Sequence, residues 1–491
     1  MNYPKILFIL TFFTISSFVM AQGIKFEDYF EDHTMRIDYH HTGDAKTEII
    51  SIDKIYKYGT WAGSLTKLID NFNNGAYYHK IYDAESGELI YSKGFDSYFK
   101  EYRLSGPAID GVIKAFHESA IIPYPKKKIK FTLSKRDKYN KLNEIWSTEI
   151  DPADIMISRQ NFTDNDVKVY KSHYSGDPHT KVDIAIIGDG YTAEEETKFK
   201  EDVEKFTKYF FEVEPYKSEK DKFNIYGVLK PSEESGVDEP RANIYKNTAL
   251  SSTFNSMGSE RYLLTEDNKA LRDIAAHVSY DALYIMVNHK RYGGGGIYNF
   301  YCTFTADNQF QKYLFVHEFG HSFAGLADEY YTSSIAYNDF YPAGIEPVEP
   351  NITRLLDKKN IKWKHLLSPG IEIPTPWGKE EYDSTDYKWQ ALRRKLNDNI
   401  AKLKRENASK EEIKAAELDY DKRDRERSKR VDEYMKAQEH YGKVGAFEGA
   451  GYVSEGVYRP MLDCLMFSKS DIPFCKVCEE AIKKVIKHYT E

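Results

Sequence analysis

Two histidines four residues apart, in the run His317-Glu318-Phe319-Gly320-His321, constrain this chain more than any other feature. A helix turns about 100° per residue, so positions i and i+4 lie about 40° apart on one face. Both imidazoles can then reach a single ion at about 2.0–2.1 Å, the usual zinc–nitrogen distance. Glu318, one position along, can reach a water on that ion without ligating it. A metal-acidified water beside a carboxylate base is the chemistry of peptide-bond hydrolysis, which makes Glu318 the candidate base and acid. Phe315, Phe319 and Leu326 fall on the opposite face and are expected to bury the helix, with Asp307 or Asn308 capping its start.

Beyond the helix, Gly325 lets the chain turn away and brings Asp328-Glu329 to where a third ligand is needed. Asp328 is expected to ligate, with Glu329 the alternative; the acid left over could orient a ligand histidine from behind. A buried acid pair beside two histidines would be costly as a merely structural feature, although a satisfied core histidine pair is the competing reading. A glutamate from later in the chain (Glu411, Glu412 or Glu448) is a rival ligand. Tyr458 is a candidate donor to the oxyanion of a tetrahedral intermediate, or else a structural tyrosine. The glycine run Gly293, Gly294, Gly295 and Gly296 lets another backbone approach closely. It is expected to form a rim against which substrate adds as a strand, with a plain flexible loop as the alternative. No Lys-Ser/Thr follows, which removes a phosphate-cradling loop.

At 491 residues the chain has room for two or three domains, and a net charge of -8 argues against a nucleic-acid partner. A short basic start, an apolar stretch at 6–20 and small residues before position 22 predict a signal peptide over 1–21, cut after Ala21. The product is then secreted or periplasmic, without a membrane span. In such a compartment the four cysteines, Cys302, Cys464, Cys475 and Cys478, are expected to pair as disulfides. A zinc or redox site at Cys475-Lys476-Val477-Cys478 is the lesser reading, because a four-thiolate site would have to recruit the distant Cys302.

Residues 22–165 read as a β-rich, sandwich-like accessory domain, with short strands at 47–55, 77–83, 90–93 and 129–134. From 166 to 491 the texture is α/β. Apolar runs at 182–187, 223–229 and 282–288 suit buried strands, and Thr192 with Glu195 forms a capping box for a helix to about Phe211. Residues 379–441 carry helical apolar spacing among dense charge, with a second capping box from Ser409 to Glu412. They read as an inserted helical hairpin, solvated or serving as a partner-binding arm.

These segments resemble the IgA-peptidase family of metzincin-like zinc metallopeptidases, named for a bacterial enzyme that cuts immunoglobulin A. The resemblance is carried by the strand and turn at 182–191, the glycine-rich 292–299, the zinc helix through Asp328-Glu329-Tyr330, and 447–460. The segment with Trp61-Ala62-Gly63-Ser64 and residues 95–102 resembles the accessory domain of gut-bacterial members. The resemblance implies an α+β and α/β architecture with a metzincin-like peptidase domain. It implies Zn2+ as cofactor, a protein or peptide substrate, His317 and His321 as ligands and Glu318 as base. In the metzincin frame the third ligand follows the second histidine by six residues; here Asp328 follows by seven. Met466 is then the candidate Met-turn residue beneath the metal, with Met461 the alternative. A reading from another class remains: a surface protein binding host protein or glycan, whose metal is structural and closed by a fourth protein ligand.

Overall fold

The first strands place polar residues inside. In the computed structural model, which describes residues 24–159, 161–333 and 341–491, strand β1 (Phe30–Gly43) is covered on both faces for much of its length. It buries Arg36, Asp38 and His41 beside Met35, Ile37 and Tyr39, with charges set against one another: Arg36 Nη2 meets Asp38 at 3.0 Å and His41 Nδ1 meets Glu118 at 3.2 Å. β1 sits between β2 (Glu48–Tyr58) and β5 (Lys114–Pro125) in an antiparallel sheet. A second antiparallel sheet follows the order β4 (Leu89–Phe95), β3 (Tyr77–Asp83), β6 (Ile129–Arg136), β7 (Leu142–Ile150). Both sheets feed one core, with Ile37 and Ile122 from the first and Ile81, Phe131 and Leu133 from the second. The expected strands are present, the one at 77–83 with its expected bounds and the other three extended; β1, β5 and β7 were not among them. The expected signal peptide lies outside the described residues.

The second region is built on a six-stranded sheet ordered β12-β13-β11-β9-β10-β8. Its centre is parallel: β9 (Val182–Asp189) runs between β10 (Phe223–Leu229) and β11 (Ala282–Val287), and β13 (Tyr301–Thr305) continues it. Strands covered on both faces must be apolar throughout, which is why these read as unbroken hydrophobic runs. The edges, β8 (Lys168–His173) and β12 (Gly294–Ile297), are antiparallel. On one face lie helix α1 (Glu196–Phe210), introduced by the Thr192/Glu195 capping box, and helix α2 (Gln311–Ala324). Helix α2 seats Phe315 and Phe319 on Tyr284 of β11, with ring centroids at 4.6 and 4.9 Å.

The charged insertion forms two helices, α3 (Lys379–Arg405) and α4 (Lys410–Lys436), the second opened by the Ser409/Glu412 capping box. One side of the pair is packed rather than solvated. Tyr382, Trp389 and Met435 are buried, and ion pairs tie the hairpin down: Lys404 to Glu239 at 3.0 Å, Arg393 to Glu260 at 2.9 Å and Asp424 to Lys469 at 2.9 Å. The hairpin β14 (Phe447–Ala450) and β15 (Val453–Arg459) follows, and helix α5 (Lys476–Thr490) closes the chain. Among the described residues no helix is long and apolar enough to cross a membrane.

Candidate metal centre

Helix α2 delivers His317 and His321 to the wall of a cleft of about 350 Å³. Gly325 ends it in the left-handed conformation, φ +59°, and the chain doubles back so that Asp328 returns to the same face. Three atoms converge there: His317 Nε2 and His321 Nε2 lie 3.2 Å apart, and Asp328 Oδ1 lies 3.1 and 3.2 Å from them. Among the described residues no fourth His, Cys, Asp or Glu joins this group. Glu411, Glu412 and Glu448 are outside it.

The group fits a metal ion on three observations. Asp328 Oδ1 is buried with no hydrogen-bond partner of its own. The outward ring nitrogens are already engaged: His317 Nδ1 meets the Leu465 carbonyl at 3.1 Å and His321 Nδ1 meets the Leu326 carbonyl at 2.6 Å. A carbonyl facing Nδ1 favours the tautomer in which Nδ1 donates and Nε2 offers its lone pair to a bound metal. Finally, the field at the site favours positive charge. Burial alone would lower the pKa of His321, but Asp328 and Glu318 raise it to about 9. The Asp328 carboxyl, which burial would push up, is held well below its usual range by His321 and His317.

Glu318 faces the same cleft, and burial raises its carboxyl pKa against the opposing pull of the two histidines. The close approach of β12 to this helix requires glycine. A Cβ on Gly294 would stand 2.8 Å from Glu318 Oε1, and one on Gly296 2.4 Å from the Glu318 carbonyl. Gly294, Gly295 and Gly296 line the cleft, while Gly293 packs against Phe254 instead. Met466 is fully buried beneath α2, its sulfur 2.9 Å from where a Cβ on Gly320 would be, whereas Met461 is only partly covered.

Tyr458 is not among the residues lining the cleft. It pairs with Glu448 across the β14–β15 hairpin, and its hydroxyl faces the Glu448 carboxylate at 3.5 Å. Two tyrosines that sequence reasoning did not single out stand there. Tyr452 donates its hydroxyl to Asp328 Oδ2, and Tyr330 lies with its ring 6.3 Å from His317 and its hydroxyl 3.1 Å from Arg261. Each lies in a segment that carries the family resemblance, Tyr330 at the end of Asp328-Glu329-Tyr330 and Tyr452 within 447–460, which was the available signal. The N-terminal sheets supply the opposite wall through Asn74, Asp96 and Arg136, and Asn74 Nδ2 donates to the Gly325 carbonyl at 3.2 Å.

Glu329 points the other way, into a closed group with Cys464, Cys475 and Cys478. It orients neither histidine; the Leu465 and Leu326 carbonyls and the Tyr313 hydroxyl face their Nδ1 atoms instead. All four cysteines carry free, buried thiols, contrary to the expected disulfides: Cys464 and Cys478 are 3.9 Å apart at sulfur, against about 2.05 Å for a bond.

Comparison with known proteins identifies the family. Residues 171–486 match the family described as IgA Peptidase M64, and residues 25–147 match the one described as Peptidase M64 N-terminus. No curated protein matches the chain. The chain belongs to the IgA peptidase M64 family and is a metallopeptidase.

Proposed function

We propose that this chain is an exported, metzincin-like zinc metalloendopeptidase, with His317, His321 and Asp328 as ligands and Glu318 as general base and acid. The observation that carries this reading is the convergence of two Nε2 atoms and one unpartnered Oδ1 at a cleft wall, with Glu318 beside them. Zinc suits two imidazoles and one carboxylate with one side left to the cleft, and when bound it supplies Lewis acidity that lowers the pKa of a water there to about 7. Glu318 takes the proton from the attacking water and returns it to the leaving amine; its burial raises its basicity for the first half of that task. Tyr330, polarised by Arg261, takes the oxyanion role in place of Tyr458. Tyr452 holds Asp328 in its ligating orientation.

The substrate is a protein in extended conformation. Gly294 already gives its carbonyl to Leu263 on the outer side of β12, and Gly296 is the next position facing out of that edge, where substrate backbone pairs. In this reading residues 1–21 direct export, 22–165 form the accessory domain that walls the cleft, and 166–491 form the peptidase with its insertion at 379–441. The test is Glu318→Gln beside wild type, assayed for metal content and for cleavage of a mixed protein substrate library. We expect zinc in both and turnover about 10²–10⁴-fold lower in the variant. Full activity in Glu318→Gln would exclude the mechanism.

A further inference from the structure

Three cysteines and an acid that the peptide chemistry does not use are gathered behind the first site. We infer that Glu329, Cys464, Cys475 and Cys478 form a second, closed metal site that holds a structural zinc ion. Its ligand atoms lie within 4.8 Å of one another, and all four residues are buried. A tetrahedral zinc site with bonds of about 2.3 Å to sulfur and about 2.0 Å to oxygen has edges of about 3.8 Å between sulfurs and about 3.5 Å between sulfur and oxygen. Here Cys464 and Cys478 are 3.9 Å apart, and Glu329 Oε1 lies 3.8 Å from Cys475 and 3.3 Å from Cys478. The spacing matches that of ligands around an ion and is too long for disulfides.

Two of the sulfurs face backbone donors. Backbone N–H groups of Cys475 and Met466 point at Cys464 Sγ at 3.1 and 3.4 Å, and that of Cys478 points at Cys475 Sγ at 3.5 Å. A neutral thiol is a weak acceptor, whereas a thiolate gains from each such donor. Cys475 and Cys478 open helix α5, whose N-terminal dipole stabilises negative charge. Glu329 Oε2 is buried without any partner, and Asn351 steadies Oε1 at 3.1 Å. A buried carboxylate with one oxygen left unpartnered beside three sulfurs is costly unless a cation balances it. Disulfide formation does not resolve this, since three sulfurs leave one over. Cys302, the fourth cysteine, is outside the group and gives its thiol to the Leu283 carbonyl at 3.7 Å.

The ion would tie three segments together: the turn after α2 through Glu329, the floor through Cys464, and helix α5 through Cys475 and Cys478. That floor matters to the first site. The Leu465 carbonyl orients His317, and the Met466 carbonyl accepts the Glu329 N–H at 2.8 Å. The second ion is thus a positioning element for the first.

The test uses the full chain as wild type, His317→Ala and Cys475→Ser/Cys478→Ser, each analysed for zinc and, after exchange, for its cobalt(II) spectrum. Two zinc ions per chain are expected in wild type. His317→Ala should keep one and retain the intense thiolate-to-cobalt charge-transfer band, which imidazole and carboxylate ligands cannot produce. The cysteine variant should lose that band. Should it fail to fold, the wild-type and His317→Ala spectra decide alone. A single zinc lost entirely in His317→Ala, cobalt without the charge-transfer band, or a disulfide-linked peptide joining two of Cys464, Cys475 and Cys478 would each overturn the inference. Because His317→Ala removes the first site, this outcome is independent of whether that site hydrolyses peptides.

Discussion

Asp328 and Glu329 are consecutive acids, yet the chain sends them to opposite sides of one turn. Asp328 joins two histidines at the wall of a cleft, where Tyr330, Tyr452 and the glycine strand leave space for a substrate. Glu329 joins three cysteines in a pocket closed on every side, and its own exposure is 0%. The two groups differ in what a metal can do there. Three ligands with an open face permit chemistry; four ligands in a sealed group permit only cross-linking. On the proposed reading, one dipeptide couples a reactive centre to the structure that holds it.

The sharpest way to break this contrast is to remove each acid in turn. Asp328→Ala should lose the cleft metal and at least as much turnover as Glu318→Gln, while keeping the thiolate-bound ion; metal analysis with a cleavage assay reads both. Retained activity would make Asp328 a bystander. Next in size, Tyr330→Phe should lower kcat by about 10²-fold with little change in KM, the cost of one oxyanion donor. Tyr458→Phe, which removes a hydroxyl outside the cleft, should stay within about 2-fold, as expected of a substitution that leaves the transition state untouched. Equal effects from the two tyrosines would refute the placement. Glu329→Gln should be milder, about 10-fold in activity through a loosened floor, because supporting groups behind a metal site typically contribute 10–100-fold.

Much of the local geometry of the candidate centre was legible from the chain. The i, i+4 histidines, the phenylalanines opposite them and Gly325 after them all report one local object, a helix with a stop, and local objects follow from spacing. Asp328 was the expected ligand, but the destination of Glu329 was not legible, since it depends on how a turn of a few residues sits between α2 and the Cys464–Met466 segment, more than a hundred residues later. The cysteine group was hidden for a related reason. Cys302 made an even set and invited disulfides, and a carboxylate fourth ligand lies outside the familiar thiolate spacings. Strands β1 and β5 escaped because alternation is the signal for a strand. Arg36, Asp38 and His41 erase that alternation by burying charge in partnered networks. Tyr458 looked suitable by position, but its strand register turns it toward Glu448.

The contrast between a buried imidazole with an acid and one without recurs in the N-terminal sheets, and there it governs stability rather than chemistry. His321, facing Asp328, has its pKa raised to about 9. His79 is stacked on Phe95 at 4.0 Å and bonded to the Tyr39 hydroxyl at 3.2 Å; burial, with Lys93 and Arg272 adding to it, lowers its pKa from 6.5 to about 3. A group that binds its proton more weakly when folded favours the unfolded chain as acid is added. Its contribution is therefore intact above about pH 6.5 and declines toward pH 3 by about 1.4 kcal/mol per pH unit. Urea unfolding of wild type and His79→Gln at about pH 7 and pH 5 should show the wild type losing about 2 kcal/mol more than the variant over that interval. The variant starts lower because it forfeits the ring stack, so the slope rather than the absolute stability carries the result. Parallel slopes would mean that the imidazole is protonated inside the fold, and that an acid, not desolvation alone, sets the behaviour of buried histidines in both halves of the molecule.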